Sequence, residues 1–361
     1  MQACSSDAQS LTMLVGTYTN GNSVGIYTYR FNTDDLTAQP LCQVALDNPS
    51  YLALSKNAKY VYAVSESGGN SAVNAFAFDK SSGLLQFLNK RQIESGPCYI
   101  LYHDFTQTVI TANYGAGSVS IVKIAPDGSL TEQVKTIQYA GQSAHPSRQT
   151  RPHIHCIMAT PDNKTIYATD LGTDQIHKIE ITKPHNATDD LSTVFQESSS
   201  FTLEPGSGPR HIILNKNHSH AYIINELSGM VSVLAMDAEN NFTPLQYIIA
   251  DTLHAGGSAD IHLSPDEKFL YASTRLKGDG VAIFSVNDDK TITRIGFQPT
   301  GKHPRNFAIT PDGKRMLVAC LDDNVIQIFN INKKSGLLTD TGKTILVDQP
   351  VCIKLIMNYE L

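Results

Sequence analysis

The 361-residue chain has no tryptophan, no CxxC pair, and no apolar run near 18 residues. Each absence excludes something. Without Trp, and without their repeat signatures, the WD40 and kelch classes are set aside. Without a long apolar run there is no transmembrane helix. The six cysteines (Cys4, Cys42, Cys98, Cys156, Cys320, Cys352) lack zinc-finger spacing, so they indicate neither a disulfide framework nor a structural metal, and they read as small buried residues. Positive charge is also scarce. Twenty-eight Lys and Arg stand against 34 Asp and Glu, for a net charge of −6, and no basic cluster suggests a nucleic-acid partner. HExxH, GxSxG and a Gly-rich phosphate loop leading from strand to helix are all missing, which removes the zincin, α/β-hydrolase and nucleotide-fold readings.

What is present is a repeat. Seven openings, NPSYLAL, GPCYIL, PHIHCIM, GPRHIIL, SADIHL, HPRNFAI and QPVCIKL, recur at roughly 50-residue intervals. Six are followed by a turn such as SPDEK or TPDGK and a β-rich run (YVYAVSE, VITANY, IYATDL, AYIINE, LYASTR, MLVACL), which predicts a hairpin. A third run alternates with period two, as in MVSVLAM and VIQIFNI, and a Gly, Asn or Asp turn leads to a weaker fourth strand. Four strands in each of seven units predict an all-β, seven-bladed β-propeller, which removes exposed sheet edges by radial repetition. The chain starts with a second-type strand, LTMLVGTYT, and ends with a first-type strand, PVCIKLIM. The termini are therefore expected to share the last blade and close the ring.

The repeat leaves no linker, so a single domain is expected over 12–361, behind a flexible tail, 1–11. Cytoplasmic location is the expectation. If Cys4 follows a truncated signal peptide, a periplasmic or membrane-anchored lipoprotein is the alternative.

In a propeller the innermost strand starts on one rim of the channel, and the second strand ends on that same rim. Registered six residues before the turn proline at His155, Ala259 and Arg305, and by matching the other blades to these, the opening positions are Ser50, Cys98, His155, Arg210, Ala259, Arg305 and Val351. Sixteen residues after six of them stand the closing positions Glu66, Tyr114, Leu171, Glu226, Arg275 and Leu321. The register predicts a pocket at one mouth holding Arg210, Arg275, Arg305, His155, Glu226 and Glu66, with His153 on the same face as His155 by period two. Converging guanidiniums suit a carboxylate or phosphate, while His155 and Glu226 are candidate general bases for activating water. Inter-blade salt bridges among Arg210, Arg275, Glu226 and Glu66 are the competing reading.

His211 is expected to point away and pack between blades. Asn113, Asp170 and Asn225, one before closing positions, either cap loops or face the ligand. The long connections Gln138–Arg151 and Lys183–Ser207 are expected on the same rim; in the first, His145, Arg148 and Arg151 either add to its positive charge or belong to a solvated loop. Cys98 lacks any feature that would lower a thiol pKa.

These segments together (VGTYT, ANYGAGSVSI, PHIH, ATDLGTDQI, GSGPRHIILN, YIINEL, LSPDEKFLYASTR, HPRNFAITPDGK) resemble the propeller lactonase family, which includes cycloisomerase-type 6-phosphogluconolactonases and carboxymuconate-lactonizing enzymes. The resemblance runs from residue 12 to 357. It implies lactone chemistry without a cofactor or metal, with His155, Arg210, Glu226 and Arg275 as catalytic residues. Arg305, His153, Glu66, Asn113 and Tyr114 are the candidate substrate contacts. The expected partner is a small anionic lactone or sugar phosphate, and the expected reaction is hydrolysis of 6-phosphogluconolactone. A cycloisomerase, a lactonase for another carboxylated lactone, and a non-enzymatic propeller binding an anion or peptide are the alternatives.

Overall fold

The computed structural model describes residues 10–182 and 189–357. These form seven four-stranded antiparallel sheets, six of them running from inner to outer strand in chain order and the seventh with the last strand of the chain innermost. Numbered by chain order of their opening segments, blades 1 to 7 have inner strands Leu52–Leu54, Pro97–His103, Ile154–Ala159, Pro209–Leu214, Ile261–Leu263, Pro304–Ile309 and Pro350–Met357. Blade 7 closes the ring as the sequence predicts: Pro350–Met357 pairs with Ser10–Thr17, which pairs onward with Gly25–Asn32.

Burial explains why the second strands read as apolar runs and the fourth strands do not. Second strands are covered on both faces by neighbouring sheets, so Ala221, Tyr222, Ile223 and Ile224 are all fully buried. The outermost strand Leu84–Gln92 is largely exposed and carries Gln, Asn, Lys and Arg. Packing between sheets is supplemented by a repeated polar tie. Tyr62, Tyr167, Tyr222 and Tyr271, at one position of four second strands, donate their hydroxyls to the carbonyls of Gly128, Asn240, Lys290 and Gly336, each in the next blade, at 2.6–3.1 Å. The rings fill the interface while the hydroxyls find partners, as a buried tyrosine requires. The Ser/Thr-Pro-Asp turns are locked in a common way: the Thr310 hydroxyl donates to Asp312 and accepts from the Arg315 N–H, and Thr160 with Asp162 and Thr165 repeats the pattern.

Two boundaries differ from expectation. Ser10 and Leu11, assigned to the tail, are buried members of the first strand and pair with Asn32 and Phe31. Lys183–Ser207 is not a connection between blades. It contains the short helix Leu191–Val194 and the fourth strand of blade 3, Phe195–Thr202. That strand, FQESSSFT, is mostly exposed and has little apolar content, which hid it. Residues 1–9, with Cys4, and 183–188 lie outside the described residues.

Candidate functional site

The opening positions coincide with β-bulges. Cys98, His155, Arg210, Arg305 and Val351 are each skipped in the pairing of inner and second strand, so two residues there oppose one. In six blades the closing residue's N–H donates to the carbonyl two before the opening residue: Tyr18 to Gln349, Glu66 to Asn48, Tyr114 to Gly96, Leu171 to His153, Glu226 to Gly208 and Leu321 to His303, at 2.7–3.1 Å. Ser50 fits the same scheme, because Val64 N–H bonds to Tyr51 and Glu66 N–H to Asn48. A bulge re-aims a side chain that pleating would otherwise send into the blade interface. The tier of opening residues is therefore a ring of side chains directed to the channel.

Glu226 is the hub of this ring. Its Oε2 accepts from Arg210 Nε at 2.9 Å and lies 3.4 Å from an Arg275 terminal nitrogen, while Oε1 accepts from Arg148 at 2.6 Å. Burial alone would raise the carboxyl pKa. The charges of Arg275, Arg210 and Arg148, with the Arg148 hydrogen bond, outweigh it and hold the group at about 2. Arg210 also donates to the Ala259 carbonyl at 2.6 Å, and Arg275 Nε to the Gly257 carbonyl at 2.5 Å. Burial, then the charge of Arg210, pushes Arg275 down to about 9, so it is still charged at neutral pH. A pair buried this way organises a site more than it stabilises a fold.

Arg305 is different. Among the described residues it has no hydrogen bond or ion pair, and its guanidinium carbon stands 5.3 Å from the Tyr18 ring centroid. Burial works against its charge, but the fields of Tyr18 and Glu66 outweigh that and raise its pKa. Tyr18 in turn donates its hydroxyl to Glu66 at 3.1 Å.

His155 completes the tier. It is 4% exposed, and its Nδ1 is buried without a partner. Burial, with the charges of Arg210, His211 and Arg305, pushes its pKa well below that of an ordinary imidazole, so the ring is neutral at pH 7. The Tyr114 ring meets both histidines of PHIH, stacking on His153 at 4.3 Å and standing edge-on to His155 at 5.7 Å. His153 Nδ1 is tied to the Tyr114 carbonyl at 2.9 Å.

The structure thus brings together His155, Arg210, Glu226, Arg275, Arg305, Glu66, Tyr114 and His153. Asn113 does not join them. It is fully buried within its blade, donating to Ser118 and Ser120 and accepting from Thr111, because strand alternation turns it away from the closing position beside it. Asn225 likewise donates to Met230 and Ser232, and Asp170 gathers the His153 and Gly172 N–H groups with Thr173 and His177. Of the loop residues only Arg148 reaches the hub. Arg151 is exposed, and His145 Nδ1 accepts from the Ser147 and Arg148 N–H groups.

Three participants were not anticipated. His211 was expected between blades, yet its ring meets Tyr51, Tyr99 and His155 edge-on in the channel. The bulge at Arg210 breaks the alternation on which that expectation rested. Its Nδ1 lies 2.7 Å from Asp260 Oδ1, and Asp260, 1% exposed, also accepts from Asn306 and the Phe307 N–H. Burial, then Arg210, pushes His211 down to about 4, so Nδ1 donates to Asp260 and Nε2 faces Arg210 at 3.3 Å. Asp260 follows an opening position directly, which is the signal that could have revealed it. Tyr18 is the seventh closing residue; its partner Val351 lies at the other end of the chain, so no 16-residue spacing could register it.

A model of the family described as "Lactonase, 7-bladed beta-propeller" matches residues 12–355. A 6-phosphogluconolactonase of Bacillus subtilis is 33% identical over 353 residues, covering 95% of this chain and 97% of its own. Among solved structures, a provisionally named 6-phosphogluconolactonase from Bacteroides fragilis superposes with a TM-score of 0.92 at 47% identity, covering 98% of this chain and 99% of that one. A periplasmic gluconolactonase from Pseudomonas aeruginosa superposes with a TM-score of 0.88 at 29% identity, over 96% of this chain and 99% of that one.

Proposed function

For this chain, which belongs to the seven-bladed β-propeller lactonase family, we propose hydrolysis of a sugar lactone, 6-phospho-D-glucono-1,5-lactone, to 6-phosphogluconate at the channel mouth. The observation that carries the reading is the pairing of a neutral, partnerless His155 with a guanidinium, Arg305, that forms no ion pair or hydrogen bond among the described residues.

In this reading water adds to the lactone carbonyl carbon while His155 takes its proton. The carbonyl oxygen becomes an oxyanion facing Arg305, which is already charged and in place. Collapse breaks the bond to the ring oxygen, and that oxygen takes the proton back from His155. Glu226, held at about 2, is too weak a base to share the first step. Its role is to fix Arg210, Arg275 and Arg148 around the pocket. Arg148, whose side chain is 38% exposed, stands at the entrance and is suited to meet the substrate's anionic end.

A second reading rests on one observation: Arg210 and Arg275 are already committed to Glu226, as in a propeller that grips an anionic metabolite without turning it over. Following ring opening of 6-phosphogluconolactone and a panel of unphosphorylated and carboxylated lactones separates the readings. Turnover of the phosphorylated lactone above the others supports the proposal. Binding of 6-phosphogluconate without turnover of any lactone rejects it in favour of the second.

A further inference from the structure

Ser50 holds the opening position of blade 1, which stands midway along the ring between blade 6, with Arg305, and blade 3, with His155. The positions flanking it on this arc are Val351 and Cys98. Neither offers a strong hydrogen-bonding group: Cys98 makes only long contacts from sulfur to the carbonyls of Ala112, Ile154 and His155, at 3.6–3.8 Å. Ser50 is therefore the one hydroxyl of the tier between the proposed base and the unpaired guanidinium.

That hydroxyl is 3% exposed as a residue, and its oxygen is buried without a hydrogen-bond partner among the described residues. Its backbone N–H is already satisfied by the Asn48 carbonyl at 2.7 Å. A buried hydroxyl with nothing to bond weakens a fold, whereas alanine would fill the same place at no such cost. His155 Nδ1 shares this condition on the same tier. Groups left unsatisfied in the free protein on the same tier as an unpaired cation are those a polar ligand would satisfy.

We propose that Ser50 Oγ is a substrate contact, donating a hydrogen bond to an oxygen of the bound lactone and of its hydrolysed product in the space between Arg305 and His155. The assignment rests on the reading that an oxygen-rich anion enters this mouth.

Titration of 6-phosphogluconate into the wild-type protein and Ser50→Ala, alongside lactone turnover and thermal unfolding of both, tests it. The expected result is an affinity about five- to tenfold weaker in Ser50→Ala. A similar fall in kcat/KM and a Tm equal to or above wild type should accompany it. Affinity within twofold of wild type overturns the assignment, as does a Tm lowered by several degrees, because the hydroxyl would then have a structural partner. A wild-type protein that does not bind 6-phosphogluconate overturns it too. If the wild type binds this product but opens no lactone, the proposed reaction fails, while Ser50 is still judged by the affinity ratio alone.

Discussion

Arg210 and Glu226 meet across a β-bulge, Nε to Oε2 at 2.9 Å, with Arg275 and Arg148 closing on the same carboxylate. One carboxylate thus restrains three guanidiniums from two neighbouring blades and a loop. Glu226→Gln removes the charge and leaves the cations facing one another. The expected loss is about 3 kcal/mol, as for removal of one partner from a buried pair, read by urea unfolding. Unchanged stability would show that the guanidiniums find other partners.

Arg305 should behave in the opposite way, because among the described residues no carboxylate is in direct contact with it. Arg305→Met is expected to leave the unfolding midpoint close to wild type and to raise KM for an anionic lactone about tenfold or more. Arg210→Met should instead lower stability sharply, since Glu226 and the Ala259 carbonyl both lose a donor. Equal stability losses in the two variants would contradict this division of labour.

His155→Ala should lower kcat by about a hundredfold, within the range for a lost general base. Circular dichroism should hardly change, and the thermal midpoint should fall only by the lost packing of the ring against Tyr114 and His211, because its Nδ1 has no protein partner to lose. A kcat within threefold of wild type would remove His155 from the chemistry.

The same histidine sets the pH profile of activity. Its pKa is held below the ordinary imidazole value of about 6.5, so it remains a competent base on mild acidification. Stopped-flow turnover should give a kcat/KM that stays flat from pH 8 down past 6.5. A midpoint at 6.5 would mean that an ordinary imidazole controls the rate.

Stability should respond to acid over a different window. His103, His211 and His303 are pushed down to about 4, chiefly by burial. Below pH 6.5 the unfolded chain takes up protons that these folded sites refuse, so stability falls as pH drops from about 6.5 to 4. Each site contributes up to about 1.4 kcal/mol per pH unit. The carboxyl of Glu226, lowered to about 2, adds a loss that begins only below its unfolded value near 4.3 and continues as pH falls through 2. Thermal scans between pH 7 and 4 should show a monotonic fall in Tm, and a Tm that rises on acidification would contradict the buried, neutral state of these rings.

The architecture was legible because two-sided burial writes itself as apolar runs, and the turns between them carry Ser/Thr-Pro-Asp locks. The mouth was legible for a narrower reason. The bulge at five of the opening positions is a backbone feature of fixed register, so a constant 16-residue interval marks Arg210 with Glu226 from the sequence alone. What alternation suggested for His211 failed at that same bulge. Tyr18 was hidden because its partner strand lies at the far end of the chain. Arg148 was visible only as loop charge, since nothing local to QSAHPSRQT says that one of its cations reaches a carboxylate two turns of the repeat away. Asn113 shows the converse: being next to a closing residue places a side chain in the blade, where Ser118 and Ser120 hold it.

Joining the last inner strand to the first-made strand has a consequence during synthesis. Once Ser10–Thr17 has left the ribosome, its pairing edge must wait for Pro350–Met357. At ordinary elongation rates of about 5–20 residues per second, that delay is roughly 17–67 s. For all that time the nascent chain carries an open β-edge of the kind that invites pairing with another chain. Tyr18, at the end of that waiting strand, reaches its place beside Arg305 only when the last blade arrives, so the mouth is among the final parts of the molecule to be assembled.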